Sequence, residues 1–409
     1  MSVTSPQNSH IGRPAILAAR ALIMLSPLGV DIYLPAVPQI AEDLGSQASL
    51  SISMYLAGLG LGQLVWGPLS DRIGRRPVAI WGCSLFALLS LLIVFSEGLS
   101  EFLGLRLLQG IMASSAAVCA TAMVRDCYSG KDAAREYSIL MGVLNAVPFA
   151  APLIGGILTA WFSWRSCFVV LTGFGIFLTT WLAWRMPETT PKRIEDGGTH
   201  AQTLPWTSPV FLGFSVCCCM GLGVVLSYVT LIPYTLMEGY GLSSLEFGAL
   251  FASNAGLISL VCIAFSRLIA RKGPLAVLRL SALLMLGGGI LLILCLSIWP
   301  DVRHVALFMG PVALICIGFS GLMGPARGLA MQPFERGSGK ASAVLGTTQM
   351  LWAAATSAVA LALPLPSHLI LGGITALTAI VSLVIAKVMI RRYGVDLLEG
   401  RPVRAQPAI

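Results

Sequence analysis

Twelve long apolar stretches constrain the fold of this chain more than any other feature of its sequence. A helix that crosses a hydrocarbon core of about 30 Å needs about 20 consecutive, mainly apolar residues. The stretches that reach this length are Ala15–Val37, Leu50–Leu69, Val78–Phe95, Phe102–Val124, Ser138–Trp161, Cys167–Trp184, Val210–Leu231, Phe247–Leu268, Leu275–Ile298, Val305–Leu329, Ala341–Leu363 and Leu369–Ile390. Because lipid offers the backbone no hydrogen-bond partner, each stretch is expected to be helical. The predicted fold is an all-α polytopic membrane protein with twelve transmembrane helices.

The composition agrees with a membrane protein and excludes other classes. Hydrophobic residues make up 56% of the 409 residues and charged residues only 11%, whereas a typical soluble domain is about 45–50% apolar and about 25% charged. So high an apolar content excludes a disordered chain. The 10 cysteines are too sparse for a disulfide scaffold. Continuous rather than alternating apolar stretches disfavour a transmembrane β-barrel.

The distribution of basic residues predicts which side of the membrane each loop faces. If both termini are cytoplasmic, 23 of the 26 lysines and arginines fall in cytoplasmic segments, and the periplasmic loops hold only Arg165 and Arg303. The positive-inside rule then favours this orientation with an even number of spans. The net charge of +8 is expected to face anionic lipid rather than nucleic acid.

The longest internal polar stretch, residues 186–208, separates six apolar stretches from the other six. We predict an N-terminal six-helix bundle over 1–185, a cytoplasmic linker over 186–208 and a C-terminal six-helix bundle with a cytoplasmic tail over 209–409. The basic turns Gly67–Pro77 and Arg267–Pro274 occupy matching positions in the two halves. Parallel repeats of this kind are one known plan for transporters.

Within the apolar stretches, Asp31 and Arg106 are the one acid and the one base that lie well away from the cytoplasmic ends. An ionisable group in the bilayer costs about 2.5–3.5 kcal/mol on insertion scales, which makes it a candidate functional residue. With the first helix ending near Pro35, both are expected about 7–9 Å below the periplasmic surface, so they can share one cavity. The alternative is that Arg106 extends toward the surface and Asp31 is a solvated residue at a helix end.

Three segments carry a resemblance to a known family. Gly67–Pro77 (GPLSDRIGRRP) resembles the signature loop between helices 2 and 3 of the major facilitator superfamily. Arg106–Gly110 (RLLQG) resembles a helix 4 motif of its drug–proton antiporters, whose buried arginine is linked to proton coupling. Pro148–Gly156 (PFAAPLIGG) resembles their antiporter motif, although Ala151 stands where a glycine commonly precedes Pro152. The resemblance implies two six-helix bundles that expose a central cavity alternately to the two sides of the membrane.

Further segments resemble the bicyclomycin/chloramphenicol-resistance (Bcr/CflA-type) group of twelve-helix exporters. They are Asp31–Pro35, Tyr55–Gly58, Val124–Asp126 and Pro333–Ala343. This group implies proton-driven export of drugs such as phenicols or bicyclomycin across the bacterial inner membrane. The implied partners are a small-molecule substrate, protons and membrane lipid, and a monomer without cofactor, metal ion or nucleic acid is expected.

The resemblance also implies roles for individual residues. For proton-driven export, Asp31 is the expected proton site because it is the only deep acid and no histidine lies deep in a stretch, and its protonation would release an interaction with Arg106. The expected antiporter-motif residues are Pro148, Pro152, Gly155 and Gly156. The residues expected to form a cytoplasmic latch of the outward-open state are Gly67, Asp71, Arg72, Gly74, Arg75, Arg76 and Asp126. For the antiporter-motif residues, the alternative is a bent helix with small packing residues. For the latch residues, the alternative is a set of surface ion pairs that contribute only about 0–1 kcal/mol.

Aromatic and amide side chains within the apolar stretches are candidates for a substrate pocket, because such pockets are mainly apolar with few polar groups. The candidates are Tyr33, Tyr55, Asn145, Phe149, Tyr228, Tyr234, Asn254 and Gln349. Packing between helices is the alternative explanation for each of them.

Other function classes fit parts of the sequence. A proton-coupled importer or exporter of a small metabolite uses the same fold, and the PFAAPLIGG segment favours export over import. A polytopic membrane enzyme needs converging catalytic groups, and the sequence has no HExxH motif, Ser/His/Asp cluster or intramembrane carboxylate pair. We therefore predict no catalytic residue. A channel is disfavoured, because no selectivity-filter pattern is visible.

Overall fold

A computed structural model describes residues 8–128, 130–189, 208–298, 304–334 and 338–394. Within these ranges all regular structure is helical. The α-helices are α1 (Asn8–Ile23), α2 (Leu25–Asp31), α3 (Val37–Leu44), α4 (Leu50–Ile73), α5 (Arg75–Val94), α6 (Leu99–Cys127), α7 (Gly130–Trp161), α8 (Trp164–Arg185), α9 (Pro209–Pro233), α10 (Ser244–Lys272), α11 (Pro274–Ile298), α12 (Val305–Met331), α13 (Ser338–Ala362) and α14 (Ser367–Tyr393). Twelve segments are long and apolar enough to span a membrane, which confirms the predicted number and helical character.

The first span differs from the prediction, because it runs over Pro14–Leu44 instead of ending near Val37. It consists of α1, α2 and α3, with a short 3-10 helix between the last two. Pro35 and Pro38 each lie in the first turn of a helix. A proline is tolerated there because the first N–H groups of a helix have no intrahelical partner. These prolines therefore begin short helices at the place where the sequence analysis expects the first helix to end.

The chain divides into two compact units. The first unit comprises Met1–Gly198 and Ser243–Ala252, and the second comprises Thr199–Leu242 and Ser253–Ile409. Most of the predicted linker over 186–208 lies outside the described residues, so its role as a linker stays a prediction.

Glycines allow helices to approach closely within each unit. In the first unit, a side chain at Gly58 of α4 would collide with the carbonyl oxygen of Leu107 in α6. In the second unit, a Cβ atom at Gly318 of α12 would lie 2.7 Å from the carbonyl oxygen of Ser281 in α11. Small residues at helix crossings are the usual means of close packing in membranes. Both units are therefore built on tight helix pairs that position the interior polar side chains.

Candidate functional site

Arg106 lies in the interior of the first unit, on α6, with no exposed surface. Its guanidinium donates a hydrogen bond to the carbonyl oxygen of Gly29 at 3.0 Å and another to Oε1 of Gln109. The rings of Tyr33 and Tyr55 lie on it, each with its centroid 4.4 Å from the guanidinium carbon. Because a buried charge is costly unless it is paired, these carbonyl and aromatic contacts stabilise it in place of an acid. Arg106 does not extend toward the surface.

Hydrogen bonds to neighbouring helices hold these partners in place. Gln109 donates from Nε2 to the Ser90 hydroxyl at 2.7 Å. The Tyr55 hydroxyl donates to the carbonyl oxygen of Ser26 at 3.0 Å, and the Tyr33 hydroxyl lies 3.1 Å from the Ser51 hydroxyl. The guanidinium therefore lies in a cage with a fixed geometry.

Asp31 is the last residue of α2 and has only 7% of its surface exposed. Within the described part of the chain, its carboxylate forms no ion pair or hydrogen bond. The expected direct contact between Asp31 and Arg106 is therefore absent, because the guanidinium binds the backbone of Gly29 instead. The last carbonyls of a helix lack an intrahelical partner, and Gly29 lies in the last turn of α2. Asp31 and Arg106 are thus connected through the same seven-residue helix.

The antiporter motif brings α7 against the break in the first span. Pro148 and Pro152 lie inside α7. A side chain at Gly155 would collide with the carbonyl oxygen of Ile32, directly after Asp31. A Cβ atom at Gly156 would lie 2.6 Å from the carbonyl oxygen of Ser244, which also belongs to the first unit. The glycines of the motif are therefore needed for close backbone contact.

The expected latch residues meet at the junction of α4, α5 and α6. Arg75 has 3% of its side chain exposed and forms ion pairs with Asp71 at 2.6 Å and with Asp126 at 3.0 Å. Arg75 also donates a 2.7 Å hydrogen bond to the Ser70 hydroxyl. Asp126 is 5% exposed and Asp71 is 60% exposed, so only one of the two ion pairs is shielded from solvent.

The other latch residues have smaller roles in this geometry. Gly74 has a φ of +106°, which favours glycine. The carbonyl oxygen of Gly67 accepts a hydrogen bond from Ser70. Arg76 donates to the carbonyl oxygen of Ala183 at 2.6 Å, and Arg72 is exposed.

Glu188 belongs to this cluster and was not identified from the sequence. It accepts hydrogen bonds from the backbone N–H groups of Arg75 at 2.9 Å and Arg76 at 3.1 Å. These groups begin α5, where N–H groups lack intrahelical partners and a negative charge is favourable. A side chain at Gly74 would lie 2.5 Å from the Glu188 carboxylate. No local pattern identifies such a cap, because more than a hundred residues separate Glu188 from the start of α5.

The candidate pocket residues fall into different surroundings. Tyr33 and Tyr55 are fully buried on Arg106, whereas Phe149 is 52% exposed. The Asn145 side chain lies outside the described part of the chain. In the second unit, Tyr234 is partly exposed. Tyr228, Asn254 and Gln349 are buried there, and Asn254 donates to the Tyr228 hydroxyl at 3.1 Å.

Comparison with known proteins identifies the family. The family model described as the Major Facilitator Superfamily matches residues 21–357. The chain belongs to the Major Facilitator Superfamily. As a facilitator it is a multi-pass membrane protein that transports small molecules, which agrees with the resemblance of the signature loop.

Curated relatives of this facilitator cover most of its length. A chloramphenicol resistance protein of Pseudomonas aeruginosa is 34% identical over 80% of each chain. The multidrug resistance protein MdtL of Klebsiella pneumoniae is 31% identical over 91% of this chain and 95% of its own. Among solved structures, the human organic anion transporter MFSD10 (TETRAN) has a TM-score of 0.67 at 17% identity, covering 92% of this chain and 99% of its own. The last similarity concerns the fold alone.

An ion pair between α1 and α7 of the facilitator was also missed by the sequence analysis. Arg20 of α1 contacts Glu136 of α7 at 2.6 Å, with 32% and 16% of the two side chains exposed. The sequence analysis assigns both residues to cytoplasmic segments and does not pair them. This contact joins α1 to α7, the helix that also contacts the break of the first span.

Proposed function

We propose that this facilitator exports small amphipathic drugs, such as phenicol- or bicyclomycin-type antibiotics, in exchange for protons across the bacterial inner membrane. The observation that carries the proposal is the 34% identity, over 80% of each chain, to a protein named for chloramphenicol resistance. The 31% identity to MdtL over 91% of this chain supports a multidrug substrate range. In this proposal the protein is a monomer with both termini in the cytoplasm, and residues 186–208 link two six-helix bundles.

The environment of Asp31 supports a role as the proton carrier. Its carboxylate has no positive partner within the described residues, so it can take up a proton without breaking an ion pair. Gly29, two residues earlier in α2, holds the guanidinium of Arg106 at 3.0 Å. Loss of the negative charge on Asp31 therefore changes the electrostatic environment of Arg106 through α2. In the proposal, this step couples proton binding to the alternating exposure of a central cavity.

The cluster around Arg75 supports a separate conformational role at the cytoplasmic ends of α4, α5 and α6. In the proposal, its ion pairs with Asp71 and Asp126 stabilise the outward-open state. The candidate substrate residues remain the set named from the sequence, and the second unit contributes Tyr228, Tyr234, Asn254 and Gln349 to it.

The test is transport by inside-out membrane vesicles that contain the protein. With an imposed proton gradient, the vesicles are expected to accumulate chloramphenicol, and an uncoupler should abolish the accumulation. Vesicles from cells without the protein serve as the control. Absence of chloramphenicol uptake, together with normal susceptibility of expressing cells to a panel of antibiotics, would favour the alternative of a proton-coupled transporter of a small metabolite.

A further inference from the structure

A polar cluster lies in the interior of the second unit, where Tyr228 of α9, Asn254 of α10 and Cys316 of α12 meet. The side-chain nitrogen of Asn254 donates to the Tyr228 hydroxyl at 3.1 Å and to the Cys316 sulfur at 3.4 Å. The three residues are 4%, 6% and 1% exposed, respectively. The two contacts hold the Asn254 side chain between α9 and α12.

The cluster lies near the middle of its membrane spans. Asn254 is ten residues from Ser244, where its span begins, and Cys316 is eleven residues from Val305, where its own begins. At 1.5 Å per residue, both lie about 15–17 Å from these ends, in the central part of spans that are about 40 Å long. Secondary transporters bind their substrates near this level.

The carbonyl oxygen of Asn254 is buried and accepts no hydrogen bond within the described part of the chain. A carboxamide carries two N–H donors and one carbonyl acceptor, and here the nitrogen serves both Tyr228 and Cys316. Because native proteins pair nearly all buried polar groups, a buried acceptor without a donor requires an explanation. A hydroxyl or N–H group of a ligand is a suitable donor.

The surroundings of this acceptor along the three helices are uncharged. The nearest charged residues in sequence are Glu246, Glu238 and Arg327, eight to eleven residues from the cluster member on the same span. These separations correspond to about 12 Å or more along a helix. A charged ligand group at this level would have no counter-ion on these helices, whereas a neutral donor needs none.

We propose that the carbonyl oxygen of Asn254 accepts a hydrogen bond from a hydroxyl or amide N–H group of an uncharged substrate. The inference rests on the proposed drug export and gives it a specificity-determining residue. Tyr228 and Cys316 are positioning residues, because they hold the carboxamide nitrogen and so direct its oxygen. The second unit then selects neutral hydrogen-bond donors, while the ionisable residues Asp31 and Arg106 lie in the first unit.

The test measures binding of chloramphenicol and three analogues to purified full-length protein in detergent. Each analogue lacks one donor: the 1-hydroxyl is replaced by fluorine, the 3-hydroxyl is replaced by fluorine, or the amide nitrogen is methylated. One analogue is expected to bind the wild-type protein about tenfold more weakly than chloramphenicol, which is the effect of losing one buried hydrogen bond. The other two are expected to bind nearly as well as the parent compound.

The Asn254→Leu variant should bind chloramphenicol and the weakly binding analogue with equal affinity, because the carbonyl acceptor of Asn254 is gone. A double-mutant cycle of this kind separates the contact from changes in ligand size. The control is Ser259→Ala on the same helix, whose hydroxyl is already bonded to the carbonyl oxygen of Ala255, and it should keep the tenfold preference. Asn254→Ala provides a second truncation if the leucine variant does not insert.

Each outcome decides the proposal. Equal binding of all four compounds by wild-type protein would overturn it, while the proposed export of phenicols would stand. A tenfold preference that survives in Asn254→Leu or Asn254→Ala would assign the donor to another residue and also overturn it. If the wild-type protein binds none of the four compounds, the phenicol part of the proposed function fails and this inference fails with it.

Discussion

At the scale of single residues, Arg106 is a buried charge whose partners in the described chain are all uncharged. The guanidinium binds a backbone carbonyl and a side-chain amide between two tyrosine rings. Asp31 lies in the same region without an ion pair, so the proposed proton carrier and the buried base are not neutralised by direct contact. Protonation of Asp31 is therefore expected to affect Arg106 through α2, whose Gly29 carbonyl oxygen binds the guanidinium.

Asp31→Asn is expected to abolish proton-driven export of chloramphenicol and to leave its binding within about twofold of wild type, because the amide resembles the protonated acid. The measurement is substrate-induced proton release from purified protein in detergent at several pH values. Glu101→Gln, at an exposed acid on α6, is the control and should release protons normally. Normal release from Asp31→Asn would remove Asp31 as the proton carrier.

At the scale of helices, the start of α5 depends on contacts with distant parts of the chain. Glu188 accepts hydrogen bonds from its first N–H groups, and Arg75 joins α5 to Asp71 and Asp126. The two ion pairs differ in exposure, and this difference predicts different energetic effects.

Asp126→Asn should destabilise the protein by about 3 kcal/mol or more, because it leaves the buried Arg75 with a weakened partner. Asp71→Asn should cost about 1 kcal/mol or less, since Asp71 is largely exposed. Thermal unfolding in detergent measures both effects. Both variants are expected to impair export and to retain chloramphenicol binding, so a loss of binding on Asp71→Asn would contradict the latch role.

The crossing of α7 with the broken first span gives a second prediction at this scale. Gly155→Ala places a methyl group against the carbonyl oxygen of Ile32, so we expect export to fall at least tenfold with reduced thermal stability. Gly173→Ala on α8 is the matched control, because a Cβ atom there meets no atom within 4 Å. Similar export by the two variants would show that close contact at Gly155 is not required.

At the scale of the whole molecule, the twelve spans were predictable because hydropathy along the chain is sufficient to identify them. The Arg75 cluster was also predictable, since its residues lie in a recognisable loop and at a helix end. The bond from Arg106 to Gly29 was not predictable, because Gly29 is 77 residues away and its carbonyl is available only where the first span breaks. Glu188 was missed for the same reason, as its contact depends on tertiary structure.

The distribution of basic residues predicts the orientation of the protein in the membrane, and cysteine labelling tests it. A cysteine introduced at Gly197 should be labelled only from the cytoplasmic side by an impermeant thiol reagent. A cysteine at Gly98 should be labelled only from the periplasmic side. A background in which the natural cysteines are replaced provides the control. Periplasmic labelling at Gly197 would contradict the arrangement of six spans on each side of the linker.

Protonation of Asp31 beside the permanently charged Arg106 has an electrical consequence. The region that holds both groups has no net charge when Asp31 is ionised and a charge of +1 when it is protonated. If one proton enters for each uncharged drug molecule that leaves, every cycle carries one positive charge into the cell. The membrane potential then drives export together with the pH gradient, and it contributes about 2.3 kcal/mol per 100 mV for that charge. A cell that loses its pH gradient but keeps its potential would still expel the drug.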